Sequence, residues 1–184
     1  CDSAVTCGRQ AGPSLFNRRE TRRGLNAAAT VGPVTPLDTT GLLADRSLRG
    51  PDFCRALSDR IDGFLAEVFE AADPPPGTAL VAVGGYGRRE QCPGSDVDVV
   101  LVHRRGLDMA DVAERVWYPL WDAGLKLGHQ VGTLPQLLEV ASEHLDTATS
   151  LLAARPVAGD ATVAVDAIPG AGEEASVPTR YRYS

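Results

Sequence analysis

A glycine-punctuated turn set between two apolar runs constrains this chain most. Thr78 to Val83 leads into Gly84-Gly85-Tyr86-Gly87-Arg88-Arg89-Glu90, and Ser95-Asp96-Val97-Asp98-Val99-Val100-Leu101-Val102 follows. The first run is short and apolar and reads as a buried strand ending where glycines allow a sharp change of direction. Val97 to His103, rich in β-branched residues, reads as a second strand. Successive strand side chains alternate sides, so Asp96 and Asp98 point the same way. Burying two carboxylates side by side is costly unless a cation or hydrogen-bond donors compensate. The pair therefore reads as a grip on one divalent cation. Carboxylate oxygens suit a hard ion, Mg2+ or Mn2+, which takes its other ligands from water and substrate phosphates. A nucleoside triphosphate is the expected substrate class. Gly84, Gly85 and Gly87 carry no Cβ, so their backbone N–H groups can approach phosphate oxygens. A helix opening at Tyr86-Gly87 would add its positive end to that attraction. Arg88 and Arg89 bring planar forks of donors to the same turn.

Other readings of these residues fit less well. An Asp-x-Asp pair also holds the metal of nucleotide-sugar enzymes, and solvated strand edges carry it by chance. A calcium loop does not fit, because Val100 and Val102 occupy the next alternating positions and no Gly and distal Glu follow at the needed spacing. The glycines match neither a dinucleotide-binding fingerprint nor a Walker loop. Ser95 either fixes the turn before the acids or bonds a phosphate. Glu90 reads as a surface or helix-dipole acid sooner than a third metal ligand, and Tyr86 as a packing residue.

Around this centre the chain divides into three expected parts. Residues 1–50 mix Gly, Pro, Thr and Arg without period and read as a weakly ordered arm, its Arg18 to Arg23 cluster included. Residues 51–160 read as the folded domain. A helix is expected from about 51 to 72, on Phe53, Leu57, Ile61, Phe64, Leu65 and Val68, opened by Pro51 and closed by Asp73-Pro74-Pro75-Pro76-Gly77. After the two strands and a short helix placed beyond Gly87 come a helix from Asp108 to Ala123 with Asp108 as N-cap and Gly124 as stop, and a strand from Leu125. Two helices, Leu134 to His144 and Thr147 to Ala154, complete the domain. Residues 161–184 read as a disordered tail.

The net charge of −6 argues against a dedicated nucleic-acid binder, which needs clustered Lys and Arg. Cys1, Cys7, Cys54 and Cys92 show neither a CxxC pair nor metal-ligand spacing and read as free thiols in a reducing cytosol. No apolar run reaches the roughly 20 residues that cross a bilayer, so a cytoplasmic protein without a membrane partner is expected. A chain beginning at Cys1 suggests a piece of a longer protein.

GGYGRRE, CPGSDVDVVLVH and VWYPLWDAGLKLGH resemble the N-terminal catalytic domain of the bacterial PII-protein uridylyltransferase family, within the DNA polymerase beta-like nucleotidyltransferase superfamily. The resemblance covers about residues 78–160. It implies an α+β fold, a small mixed sheet flanked by helices. It also implies transfer of UMP from UTP, or AMP from ATP, to a tyrosine of the nitrogen-regulatory PII protein, with Asp96 and Asp98 catalytic and metal-holding. Gly84, Gly85, Gly87, Arg88 and Ser95 would hold the nucleotide. In such folds a later strand commonly supplies a third carboxylate as base. Leu125 to Thr133 has none, leaving His129 or Lys126 on that strand and Glu143 or Asp146 on the next helices as substitutes. Gln91, Gly132 and Pro156 depart from the family pattern. None of the three histidines is followed by Asp, so the metal-dependent hydrolase that removes the nucleotidyl group is not expected here. A catalytically silent nucleotide binder, or an enzyme of this fold with another acceptor, stands as the alternative.

Overall fold

A computed structural model describes residues 34–166. Cys1, Cys7, the Arg18 to Arg23 cluster and residues 167–184 lie outside the described residues. The order is α1 (Thr40–Ala44), α2 (Pro51–Ala71), β1 (Thr78–Ala82), α3 (Gly84–Gly87), β2 (Val97–His103), α4 (Ala110–Asp122), β3 (Leu127–Gly132), α5 (Leu134–Glu143), α6 (Leu145–Leu151), β4 (Arg155–Gly159) and α7 (Ala161–Asp166).

The strands form one mixed sheet in the order β3-β2-β1-β4. β1 runs antiparallel to both neighbours, and β2 pairs in parallel with β3. Helices cover both faces. On one, Leu57, Ile61, Phe64, Leu65 and Val68 of α2 and Val112, Val116, Trp117 and Leu120 of α4 pack against Val97, Val99 and Leu101 of β2. On the other, Val100 and Val102 of β2 with Ala79 and Val81 of β1 meet Leu137 of α5, Leu151 of α6 and Val163 and Ala164 of α7. The α+β expectation holds, because strand alternation sends odd-numbered and even-numbered residues of β2 into separate cores.

α2 begins and ends where its apolar spacing and flanking prolines place it. Ala71 is followed by Asp73 at φ 48 and Gly77 at φ 84, which turn the chain into β1. Other boundaries move. The short helix runs on the glycines themselves, Gly84–Gly87, not beyond them. α4 is capped at Met109, and Asp108 instead accepts a hydrogen bond from the Ala110 N–H at 3.1 Å.

Regular structure is described on both sides of residues 51–160. Residues 34–50 contain α1, and Val34 and Leu37 pack against the larger core. Residues expected to begin the tail form α7, whose Val163 and Ala164 are buried. β4 had no counterpart in the sequence reading. Its edge pairing with β1 carries a register shift between Leu80 and Val81. Leu138, Leu145 and Leu152 are exposed on the α5 and α6 side. Among the described residues, no helix is long and apolar enough to cross a membrane.

Candidate functional site

The glycine turn and the acid strand are fastened together through the backbone. The Val83 N–H donates to the Asp98 carbonyl at 3.0 Å, so the end of β1 and the start of β2 hold the turn beside Asp98. Gly84 follows at φ +59, where an L side chain is strained. A Cβ there would stand 3.3 Å from the Asp98 Oδ2 and 3.7 Å from the Ser150 Oγ of α6. The Asp98 carboxylate thus lies over bare glycine backbone, which the Ser150 hydroxyl also approaches. Asp98 and Asp96 are both half-buried. Val97 already bonds the Lys126 carbonyl at 2.7 Å, so the chain is extended by that point. Alternation then assigns Asp96 to the side of Asp98.

The three glycines differ in what they can offer a ligand. Gly84 and Gly85 are the first residues of α3, whose N–H groups have no intrahelical acceptor. The Arg88 guanidinium lies over Gly85, 3.8 Å from where its Cβ would be, and pairs with Glu90 at 2.8 Å on the exposed surface. Such a pair contributes little and leaves the arginine available. The Gly87 N–H, by contrast, bonds the Val83 carbonyl at 2.9 Å, and a Cβ at Gly87 would overlap the Ala153 carbonyl oxygen. Gly84 and Gly85 therefore remain the candidates for phosphate contact, and Gly87 serves the approach of α3 to the segment after α6. Gly87→Ala should cost at least about 2 kcal/mol, since relief requires moving backbone; urea unfolding measures it.

The remaining expected residues separate by role. The Ser95 hydroxyl donates to the Cys92 carbonyl at 2.8 Å and accepts from the Cys92 N–H at 3.2 Å, which closes the turn before Asp96. Arg89 pairs with Asp59 of α2 at 2.9 Å, away from the turn. His129 pairs in register with Val99, and strand alternation turns both to the face opposite Asp98. Its ring lies 5.1 Å from that of Trp117 and 5.4 Å from that of Trp121. It is a packing residue, not a base beside the acids. Gly128 of β3 is the neighbour of Asp98, and Glu143 and Asp146 are exposed.

Burial lowers the His129 pKa from its ordinary 6.5, and among the described residues its buried Nδ1 has no hydrogen-bond partner. A depressed folded-state pKa means that the unfolded chain takes up the proton first. Stability from this group is complete above about pH 6.5 and is lost as pH falls through the folded value. The thermal midpoint should therefore drop on acidification below that point, and His129→Phe should reduce the dependence.

Three contributors escaped the sequence reading. Asp62 of α2 accepts from the Tyr86 hydroxyl at 2.5 Å and from Arg155 of β4 at 2.7 and 3.0 Å. Arg155 also donates to the Gly87 carbonyl at 3.3 Å. Burial, then the Asp62 charge, pushes the Tyr86 pKa far up, so the phenol stays a donor. Burial works against the Arg155 charge, yet Asp62 more than offsets it and its pKa is raised. The third contributor is Gln91, whose amide donates to the Ser95 and Asp96 carbonyls at 3.1 and 3.4 Å from a buried position. Its only sequence signal is a polar residue where an apolar one was expected.

The donor set suits a cation shared with a substrate. Among the described residues no group of three His, Cys, Asp or Glu side chains could hold a metal alone. The Asp98 carboxylate over a cradle that a Cβ would fill, with Asp96 assigned to the same side by alternation, fits Mg2+ or Mn2+ with positions left for water and phosphate.

Residues 50–130 match the family described as "Putative nucleotidyltransferase DUF294". The chain is 45% identical over 122 residues to the bifunctional uridylyltransferase/uridylyl-removing enzyme of Streptomyces coelicolor, covering 65% of this chain and 15% of that protein. It is 45% identical over 96 residues to the enzyme of the same name from Mycobacterium tuberculosis, covering 51% and 12%. With that of Pseudomonas putida it shares 34% over 160 residues, covering 82% and 18%. The chain thus spans less than a fifth of the length of these curated relatives.

Proposed function

With residues 50–130 matching the DUF294 nucleotidyltransferase family, we propose that the chain moves a UMP or AMP group from UTP or ATP to a tyrosine of the nitrogen-regulatory PII protein in the cytoplasm, releasing pyrophosphate. The observation that carries this reading is the Asp98 carboxylate lying over the bare backbone of Gly84. One side of that contact is a cation ligand and the other a phosphate cradle. Relatives named uridylyltransferases support uridylyl as the transferred group. The PII acceptor rests on the family resemblance of GGYGRRE and SDVDVVLV.

Asp96 and Asp98 would hold Mg2+ or Mn2+. When bound, that ion neutralises the triphosphate and polarises the α-phosphorus. Gly84 and Gly85 would direct backbone N–H groups at the outer phosphates, and Arg88, released from Glu90, would cap them with a charge-assisted fork. Gln91 and Ser95 would keep the approach to Asp96 fixed. The acceptor phenol, with an ordinary pKa of about 10, must lose its proton. No carboxylate of β3 stands beside Asp98 to take it, and that favours nucleotide binding without transfer as the second reading.

Incubation with labelled UTP or ATP, Mg2+ and PII protein separates the readings. Label on a PII tyrosine is expected. Label on another acceptor assigns a different substrate, and saturable nucleotide binding without label on anything overturns transfer.

A further inference from the structure

Cys54 and Cys92, 38 residues apart in sequence, stand with their sulfurs 3.9 Å apart. Cys54 lies in the first turn of α2 and is half-buried. Cys92 is exposed, in the loop that joins α3 to β2. We propose that this pair is a reversible disulfide site whose closure fastens the loop from Glu90 to Asp96 to α2.

The sulfurs already touch across two separate elements, and an S–S bond requires them to close to about 2 Å. Cys92 occupies the exposed side of that gap, and Gly94 at φ +77 gives its turn room to shift. Access sets the order of events. The Cys92 thiolate attacks one sulfur of a small disulfide such as glutathione disulfide, forming a mixed disulfide and releasing one glutathione thiolate. The Cys54 thiolate then attacks the Cys92 sulfur, forming the Cys54–Cys92 bond and releasing the second. Two protein thiols are oxidised, one glutathione disulfide is reduced, and the two thiol protons go to the two glutathione thiolates. Burial, then the Cys92 contact, raises the Cys54 pKa from 9.0, in keeping with its taking the second step.

The loop so fastened is the one that leads to the acids. Cys92 is bonded at its N–H and carbonyl to the Ser95 hydroxyl, and Ser95 and Asp96 are in turn held by Gln91. A tether at Cys92 therefore reaches Asp96 through three residues. Disulfides of cytosolic proteins are mostly transient or redox-sensing, which suits a loop beside a site better than a scaffold.

The test needs no catalysis, so its outcome is independent of the transfer reading. The full chain is equilibrated with reduced and oxidised glutathione, alkylated and mapped by peptide mass. A peptide joining Cys54 to Cys92 is expected in preference to any pairing with Cys1 or Cys7, and dithiothreitol should reverse it. C54S should stop at a glutathione adduct on Cys92. Hydrogen exchange in residues 90–96 should slow by about threefold or more in the oxidised chain, as tethering suppresses local opening. Separate glutathione adducts on both cysteines, indiscriminate pairing with Cys1 or Cys7, or unchanged exchange in the loop would overturn the proposal.

Discussion

Asp98→Asn should lower kcat/KM for nucleotidyl transfer by about three orders of magnitude, because Lewis-acid assistance contributes several kcal/mol and each ~1.4 kcal/mol is tenfold. Asparagine keeps the shape of the side chain over Gly84 but replaces a charged oxygen with an amide nitrogen that cannot bind a cation. Asp98 is half-buried at the mouth of β2, and the residues that bury this face, Val100 and Val102, lie further along the strand. The expected pattern is weaker Mn2+ binding by titration and lost transfer, with the thermal midpoint measured alongside. Transfer above a tenth of the parent rate would remove Asp98 from the chemistry. A lowered midpoint would assign the loss to the fold.

The parts of this structure with a local period were legible in the sequence. α2 shows its apolar stripe at helical spacing, and β1 and β2 are brief apolar runs, the first ended by the glycines and the second opened by the acids. That is why Asp98 could be placed beside the glycines. α3 was displaced because three glycines in four residues argue against a helix, whereas Gly84 at φ +59 lets β1 turn into it at once. β4 was hidden by Pro156 and by an edge position that demands no full alternation of burial. α7 is only six residues long, and two of them anchor it. Ser150, Asp62, Arg155 and the Cys54–Cys92 approach are contacts between elements. Nothing in a local pattern announces them. The histidine of β3 was ambiguous until the parallel register with β2 decided which face it occupies.

Arg155→Met should cost about 2 to 3 kcal/mol, somewhat less than the usual loss for a fully buried ion pair, because the charge left behind is only partly buried. Arg155 and Asp62 are only 19% and 18% exposed at their side chains, and their contact is two-pronged. Methionine would fill part of the volume while leaving the carboxylate to the Tyr86 hydroxyl alone. The loss should shift the thermal midpoint downward by on the order of 10 °C for a domain of this size. Asp62→Asn in the same chain should recover much of it, because the stranded charge disappears and the Tyr86 hydroxyl keeps an oxygen to bond. Recovery of that kind identifies the buried charge as the cause, where lost packing would leave the double variant as unstable as the single. The cluster also fixes the site, since Arg155 bonds the Gly87 carbonyl and Asp62 holds Tyr86, the two residues that follow Gly85. Arg155→Met should consequently weaken nucleotide binding even at temperatures where the chain stays folded. A loss below about 1 kcal/mol would place this pair among ordinary surface contacts.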